Sequence, residues 1–173
     1  MIQKLILAVF LLAVISPALA ENKPSVPSFG DWGKACEKGR DDDKGKQSPE
    51  ICYIFQNVSN KNNDELVMQM RIGMAPQNGK PVLIVTLPLG VLLPPGTAFV
   101  VDGHEKASLK LPFLTCTPEG CTTIGQVIDD KLLNAMKKAR KATMRVALLN
   151  HQVLTLPVSL KGFTRAYIAL NKK

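Results

Sequence analysis

Hydrophobic and polar positions along the chain fall into short blocks with a period of two. LVMQMRIGM sets Leu66, Met68, Met70 and Ile72 against Val67, Gln69 and Arg71, the alternation of a strand with one buried face. ICYIFQNVS precedes it, and PVLIVTLPL, TAFVVD, SLKLPFLTC, CTTIGQ, TMRVALLN and VLTLPVSL come after it, each β-branched or alternating and bounded by turn residues. Asn78-Gly79 and Asp102-Gly103 are hairpin-turn dipeptides of the kind that adopt positive φ. This rhythm predicts an all-β sandwich or barrel. Met68, Met70 and Met74 stand at strand spacing, which fits a buried face better than a methionine metal box. Two segments carry helical periodicity. Ile128, Leu132, Met136 and Ala139 form one stripe, with Asp129 and Asp130 at its start and Lys137, Lys138, Arg140 and Lys141 at its end, matching a helix dipole. GFTRAYIALN offers Phe163, Ala166, Tyr167 and Leu170 as a shorter stripe, and both helices are expected to cap a sheet.

The first 20 residues of the 173 stand apart from this pattern. Lys4, the apolar run Leu5 to Ile15 and Ala18-Leu19-Ala20 have the three parts of a signal peptide, so the mature chain is expected to start at Glu21. Residues 21–28 read as a loose proline-bearing leader, and residues 29–173 as the folded domain. The hydrophobic share of 46% falls when the signal is removed but stays in the globular range. Pro88, Pro94 and Pro95 interrupt the longest remaining apolar stretch, leaving no membrane-spanning segment in the mature chain.

Export bears on the cysteines. Cys36, Cys52, Cys116 and Cys121 are even in number, and in an oxidising compartment two disulfides are the default. Three connectivities are open, and the short loops favour Cys36 with Cys52 and Cys116 with Cys121. Neither pair has C-x-x-C spacing, and neither His104 nor His151 is close in sequence, which argues against zinc and against a redox dithiol. Asp41, Asp42 and Asp43 are consecutive, whereas a calcium loop needs alternating acids, so they read as a solvated loop tip. No cofactor is implied.

Several blocks taken together resemble a known family. PLGVLLPPGTAFVVDG, PFLTCTPEGC, DDKLLNAMKKARK and SLKGFTRAYIAL, in that order, with FGDWGKAC and ICYIFQ upstream, are similar to the invasion-associated locus B family of exported bacterial proteins, across nearly all of Phe29 to Leu170. The resemblance implies an immunoglobulin-like β-sandwich, to which the periodicity adds one amphipathic helix and a short C-terminal helix. It also implies export across the inner membrane and, in some pathogens, a contribution to invasion of host cells. It implies no catalytic residues. The loop between Cys36 and Cys52 and the stretch SNKNNDE depart from the family pattern, which puts partner specificity in doubt there.

The residues themselves favour binding over catalysis. His104 and His151 sit beside turns and outside any hydrolytic motif, and G-x-S-x-G, phosphate-cradling glycine loops and H-E-x-x-H do not occur. The formal charge of +8 falls by one with Lys4 and is weighted toward the C-terminal third. Lys137, Lys138, Arg140 and Lys141 form the candidate partner-binding cluster, suited to a protein or to an acidic envelope or host-surface component. A plainer account is that they complement the helix dipole and remain solvated. Nucleic acid is disfavoured because aromatics do not interleave with the cations. Three functions are compatible with these residues: an exported interaction protein aiding invasion or surface attachment, a periplasmic envelope-housekeeping module, and, least supported, a hydrolase using His104 or His151. The expected location is the periplasm, the outer surface or the medium.

Overall fold

The alternating blocks become strands in two antiparallel sheets. The structure, a computed structural model, describes residues 26–38, 49–60 and 62–172. The signal peptide, the start at Glu21 and Asp41 to Asp43 lie outside the described residues. The larger sheet runs in the order β1 (Ser28–Phe29), β2 (Trp32–Glu37), β3 (Ile51–Ser59), β4 (Leu66–Met74), β5 (Pro81–Leu87), β9 (Gly120–Thr123), β8 (Phe113–Thr117). β10 (Gln126–Val127) also pairs with β5. The smaller sheet runs β12 (Val153–Ser159), β11 (Lys141–Ala147), β6 (Thr97–Val101), β7 (Ser108–Leu111). β1 includes Ser28, placed in the leader from sequence, because the chain already pairs with β2 there and Pro27 O accepts from Lys34 N.

One face of each sheet is apolar, and the two faces share one core. Ile54, Met68, Met70, Ile72, Leu83 and Val85 come from the larger sheet, and Phe99, Val101, Met144, Val146 and Val158 from the smaller. All are buried, and Met74 packs half-buried against the same core, as strand spacing requires. The architecture is the immunoglobulin-like β-sandwich.

Two sequence blocks divide where the pattern predicts a single strand. SLKLPFLTC breaks at Pro112, with Ser108–Leu111 in the smaller sheet and Phe113–Thr117 in the larger. Proline has no N–H for a ladder and restricts the residue before it, so it suits a point where the chain changes sheets. CTTIGQ divides at Ile124 and Gly125 into β9 and β10, both paired with β5. VLTLPVSL stays whole despite Pro157 because β12 lies at a sheet edge.

The helices take the expected places. In α1 (Asp130–Lys138) Asp129 caps the start by accepting from Leu132 N at 2.7 Å, and Leu132, Leu133, Ala135 and Met136 are buried. Ile128 precedes the cap and is itself buried. α2 (Phe163–Asn171) packs against β1, β2 and β3, burying Phe163, Ala166 and Leu170. Lys34 pairs with buried Ile54 and so shares its face of the sheet, and its Nζ donates to Ala169 O at 2.6 Å. α2 therefore covers inner-face area beyond the reach of the four-stranded sheet. The turn before it requires Gly162, whose φ is 87° and where a Cβ would run into Phe29 O.

A buried amide joins the sheets. Gln56, 4% exposed, donates from Nε2 to Asp31 O (3.1 Å) and Ser159 O (2.9 Å) and accepts from Ser159 N (3.0 Å). Trp32 Nε1 donates to the same Ser159 O at 2.9 Å, and its ring meets Phe163 edge-on at 5.2 Å. Replacing Gln56 by Leu leaves Ser159 N and two carbonyls without this partner, and should cost about 2–4 kcal/mol. Urea unfolding of Gln56→Leu against wild type measures it.

Both disulfides join residues directly opposite each other in antiparallel hairpins, Cys36 to Cys52 and Cys116 to Cys121. This is the pairing favoured by loop length. With sequence separations of 16 and 5, the chain-entropy model assigns about 3 and about 2 kcal/mol. Cys36→Ser should therefore lower the melting temperature more than Cys116→Ser, and equal losses by calorimetry would contradict that order.

Candidate interaction surface

The two imidazoles do not meet. His104 lies in the turn after β6, where its N–H donates to Val101 O, and His151 lies in the β11–β12 turn with φ 63°. Val101 pairs with Ala142 near the start of β11, whereas His151 comes after the end of that strand, so the two stand at opposite ends of the smaller sheet. Glu50 brings a carboxylate within 4.8 Å of Cys36 and Cys52, but these sulfurs are bonded to each other and offer no thiolate to a metal.

The structure distributes the four expected binding cations over three settings. Lys137 lies over the Tyr167 ring, its Nζ 4.9 Å from the centroid, and Lys137 O accepts from Thr164 Oγ1. It serves the α1–α2 contact through a cation–π interaction. Lys138 lines a cavity of about 520 Å³ with His104, Glu105, Lys106, Lys131 and Asn134. Arg140 and Lys141 line a second, of about 610 Å³, with Pro157, Val158, Leu160 and Lys161. Sequence reasoning missed Lys106 and Lys131, because only the packing of α1 beside the β6–β7 turn brings them to Lys138. Lys161 was visible as a cation, but its neighbours result from the pairing of Lys141 with Ser159.

The smaller sheet's outer face has a regular composition. Cross-strand register sets Lys110, Ala98, Arg145 and Thr155 in one row, and Ser108, Val100, Thr143 and Pro157 in the next. Lys110 and Arg145 are exposed, and the side chains between them are short.

The larger sheet's outer face carries a polar chain over an aromatic pair. Gln69 donates to Asn57 Oδ1 (3.1 Å), Arg71 Nε donates to Gln69 Oε1 (2.6 Å), and the Arg71 guanidinium stands 5.6 Å from the Tyr53 centroid. Tyr53 donates to Glu37 and meets Phe55 edge-on at 6.2 Å. Phe55 lies over Gly33, where a Cβ would come within 2.7 Å of its ring. Burial raises the Tyr53 hydroxyl above the ordinary value of 10.0, aided by the hydrogen bond and charge of Glu37, while Arg71 acts in the opposite sense.

Residues 32–171 match the family model described as Invasion associated locus B (IalB) protein. The chain belongs to this family. Two Invasion protein B homologs, from Brucella abortus strain 2308 and from biovar 1 strain 9-941, are each 25% identical to it over 140 residues, covering 80% of this chain and 75% of theirs. The crystal structure of invasion associated protein b from Bartonella henselae superposes with a TM-score of 0.70 at 23% identity, over 84% of this chain and 94% of that one. That likeness carries the fold of the invasion associated locus B family onto this chain. Among the described residues no helix is long and apolar enough to cross a membrane, and both disulfides are consistent with an exported member of the family.

The Tyr53 contact makes a pH-dependent prediction. A raised folded-state value means a contribution to stability that is whole below the unfolded value of about pH 10 and is lost as pH rises from there through the higher folded-state value. Wild type should lose more melting temperature than Tyr53→Phe between about pH 9 and pH 11. Parallel losses in a buffered melting series would show that Tyr53 is not the group responsible.

Proposed function

We propose that this member of the invasion associated locus B family is an exported, non-catalytic interaction protein that contributes to host-cell invasion or surface attachment. The observation that carries the proposal is the family match over residues 32–171, to which the relatives named as invasion proteins lend their function. The exposed cations around the end of α1 and the separation of His104 from His151 support binding over catalysis. In this reading residues 1–20 are removed as a signal peptide and residues 29–173 form the working domain, with its disulfides closed in the periplasm or beyond it.

A clean deletion should reduce host-cell internalisation several-fold and recover on complementation, with growth under envelope stress unchanged. Intact invasion with impaired growth under envelope stress would favour a housekeeping module instead. Complementation with Lys138→Gln, Arg140→Gln and Lys141→Gln together should restore less invasion than wild type at equal protein level, because these three line the open cavities. Full restoration would reduce them to solvated side chains at the end of α1 and the start of β11. Lys137 is left in place because its contact with Tyr167 would confound binding with folding.

A further inference from the structure

The outer face of the smaller sheet is basic, carries short side chains between its cations, and is bordered by exposed apolar side chains. Ala98, Val100, Thr143, Ala147, Thr155 and Pro157 project little from it, so Lys110 and Arg145 stand above their row. These two are separated by β6, placing their strands about 10 Å apart. Lys141 lies four residues before Arg145 on the same face, and beyond it the 610 Å³ cavity adds Arg140 and Lys161, with no carboxylate among its lining residues. Among the described residues, Asp102 and Asp31 border this region, and their charges are outnumbered there by Lys110, Arg140, Lys141, Arg145 and Lys161. Asp102 accepts from Thr143 Oγ1 at 3.0 Å, and Asp31 accepts from Ser159 Oγ at 2.5 Å.

At the other end of the face, Val153 pairs with Ala147 and is 65% exposed, and Leu149 in the adjoining turn is 64% exposed. The neighbouring loop approaches the same turn: Leu149 N donates to Gly90 O, and Leu92 N donates to Ala147 O. Leu93 in that loop is 46% exposed. Val153, Leu149 and Leu93 thus bring three exposed apolar side chains to one end of the face, a limited apolar area of the kind a peripheral protein inserts at a membrane boundary.

From this we infer that the outer face of the smaller sheet docks on an anionic lipid surface. Lys110, Lys141 and Arg145 meet headgroup charge, the Arg140, Lys141 and Lys161 cavity receives a headgroup phosphate, and Val153 and Leu149 enter the acyl boundary. Cations together with a limited apolar area are the two contributions that hold a peripheral protein at a bilayer. An acidic glycan would use the cations and leave Val153 and Leu149 without a role. A folded protein partner would be anchored by buried aromatics, and this face has none among its paired positions. The inference rests on the binding role proposed above and specifies its partner.

Co-sedimentation of the purified protein with vesicles tests it, using phosphatidylcholine containing phosphatidylglycerol and phosphatidylcholine alone. Wild type should bind only the anionic vesicles, and added salt should weaken binding. Each face cation removed should cost about fivefold in affinity, so Lys110→Gln with Arg145→Gln should lose about 25-fold. The control pair Lys80→Gln with Lys172→Gln removes the same formal charge away from the face and should lose little. Val153→Ser with Leu149→Ser should weaken binding and leave its salt dependence. If Arg145→Gln impairs folding, Lys110→Gln with Lys141→Gln gives the same reading. No binding, equal binding to both vesicles, or equal losses in the face and control pairs overturns lipid docking. Attachment to host cells that heparin competes away, with both vesicles ignored, would overturn it in favour of a glycan while leaving the attachment role intact. Absence of any attachment by the deletion's complement would instead defeat the broader proposal.

Discussion

The Gln56 side-chain amide ties the sandwich together where packing alone would leave the sheets free to slide. Burial of apolar faces is non-directional, so placing Met70 and Ile72 of one sheet and Met144 and Phe99 of the other in a shared core does not by itself fix one offset. The amide does, because its bonds to Ser159 N, Ser159 O and Asp31 O are available in one alignment of β3, the β1–β2 turn and the end of β12. Any slip strands several buried polar groups together, and such losses compound in a low-dielectric interior. Trp32 donating to the same carbonyl makes the end of β12 the meeting point of both sheets.

The segment after Ser159 inherits that position. Leu160 N donates to Arg140 O, Asp31 N donates to Lys161 O, and Gly162 turns the backbone tightly past Phe29 into α2. Phe163 then meets Trp32, and Tyr167 one helical turn on meets Lys137. The cavity shared by Arg140, Lys141 and Lys161 is thus an outcome of the buried amide, since the same polar tie that aligns the sheets brings the two basic segments side by side.

Period-two alternation made the strands legible from sequence, and the acidic start and basic end did so for α1, because these signals are local. The disulfides were legible for the same reason, each closing a hairpin between near neighbours in the chain. Pro112 misled the strand reading: its block is apolar on both sides, and nothing local says that Leu111 and Phe113 belong to different sheets. Gln56 gave no sign at all, since a polar residue inside a strand reads as an outward position until its partners Asp31 and Ser159, the latter 103 residues away, are placed. The candidate surface was half visible. The cations at the end of α1 are contiguous in sequence, whereas Lys106, Lys110 and Lys131 join them only through the tertiary fold.

The two outer faces of the sandwich differ in how firmly their side chains are held, and that difference bears on which one binds. On the larger sheet, Asn57, Gln69, Arg71, Tyr53 and Glu37 already hold one another in a chain of hydrogen bonds and ring contacts. A ligand there would have to break contacts before making its own. On the smaller sheet the cations stand over alanine, valine and threonine, which cannot accept their charge, so a ligand gains charge contacts without displacing existing ones. Preorganisation comes from below, through a core that fixes β6, β11 and β12 while leaving the side chains above them unpaired by their row neighbours. Family membership places the chain among invasion proteins, but the contrast between one engaged face and one open face is what favours the smaller sheet as the proposed binding face.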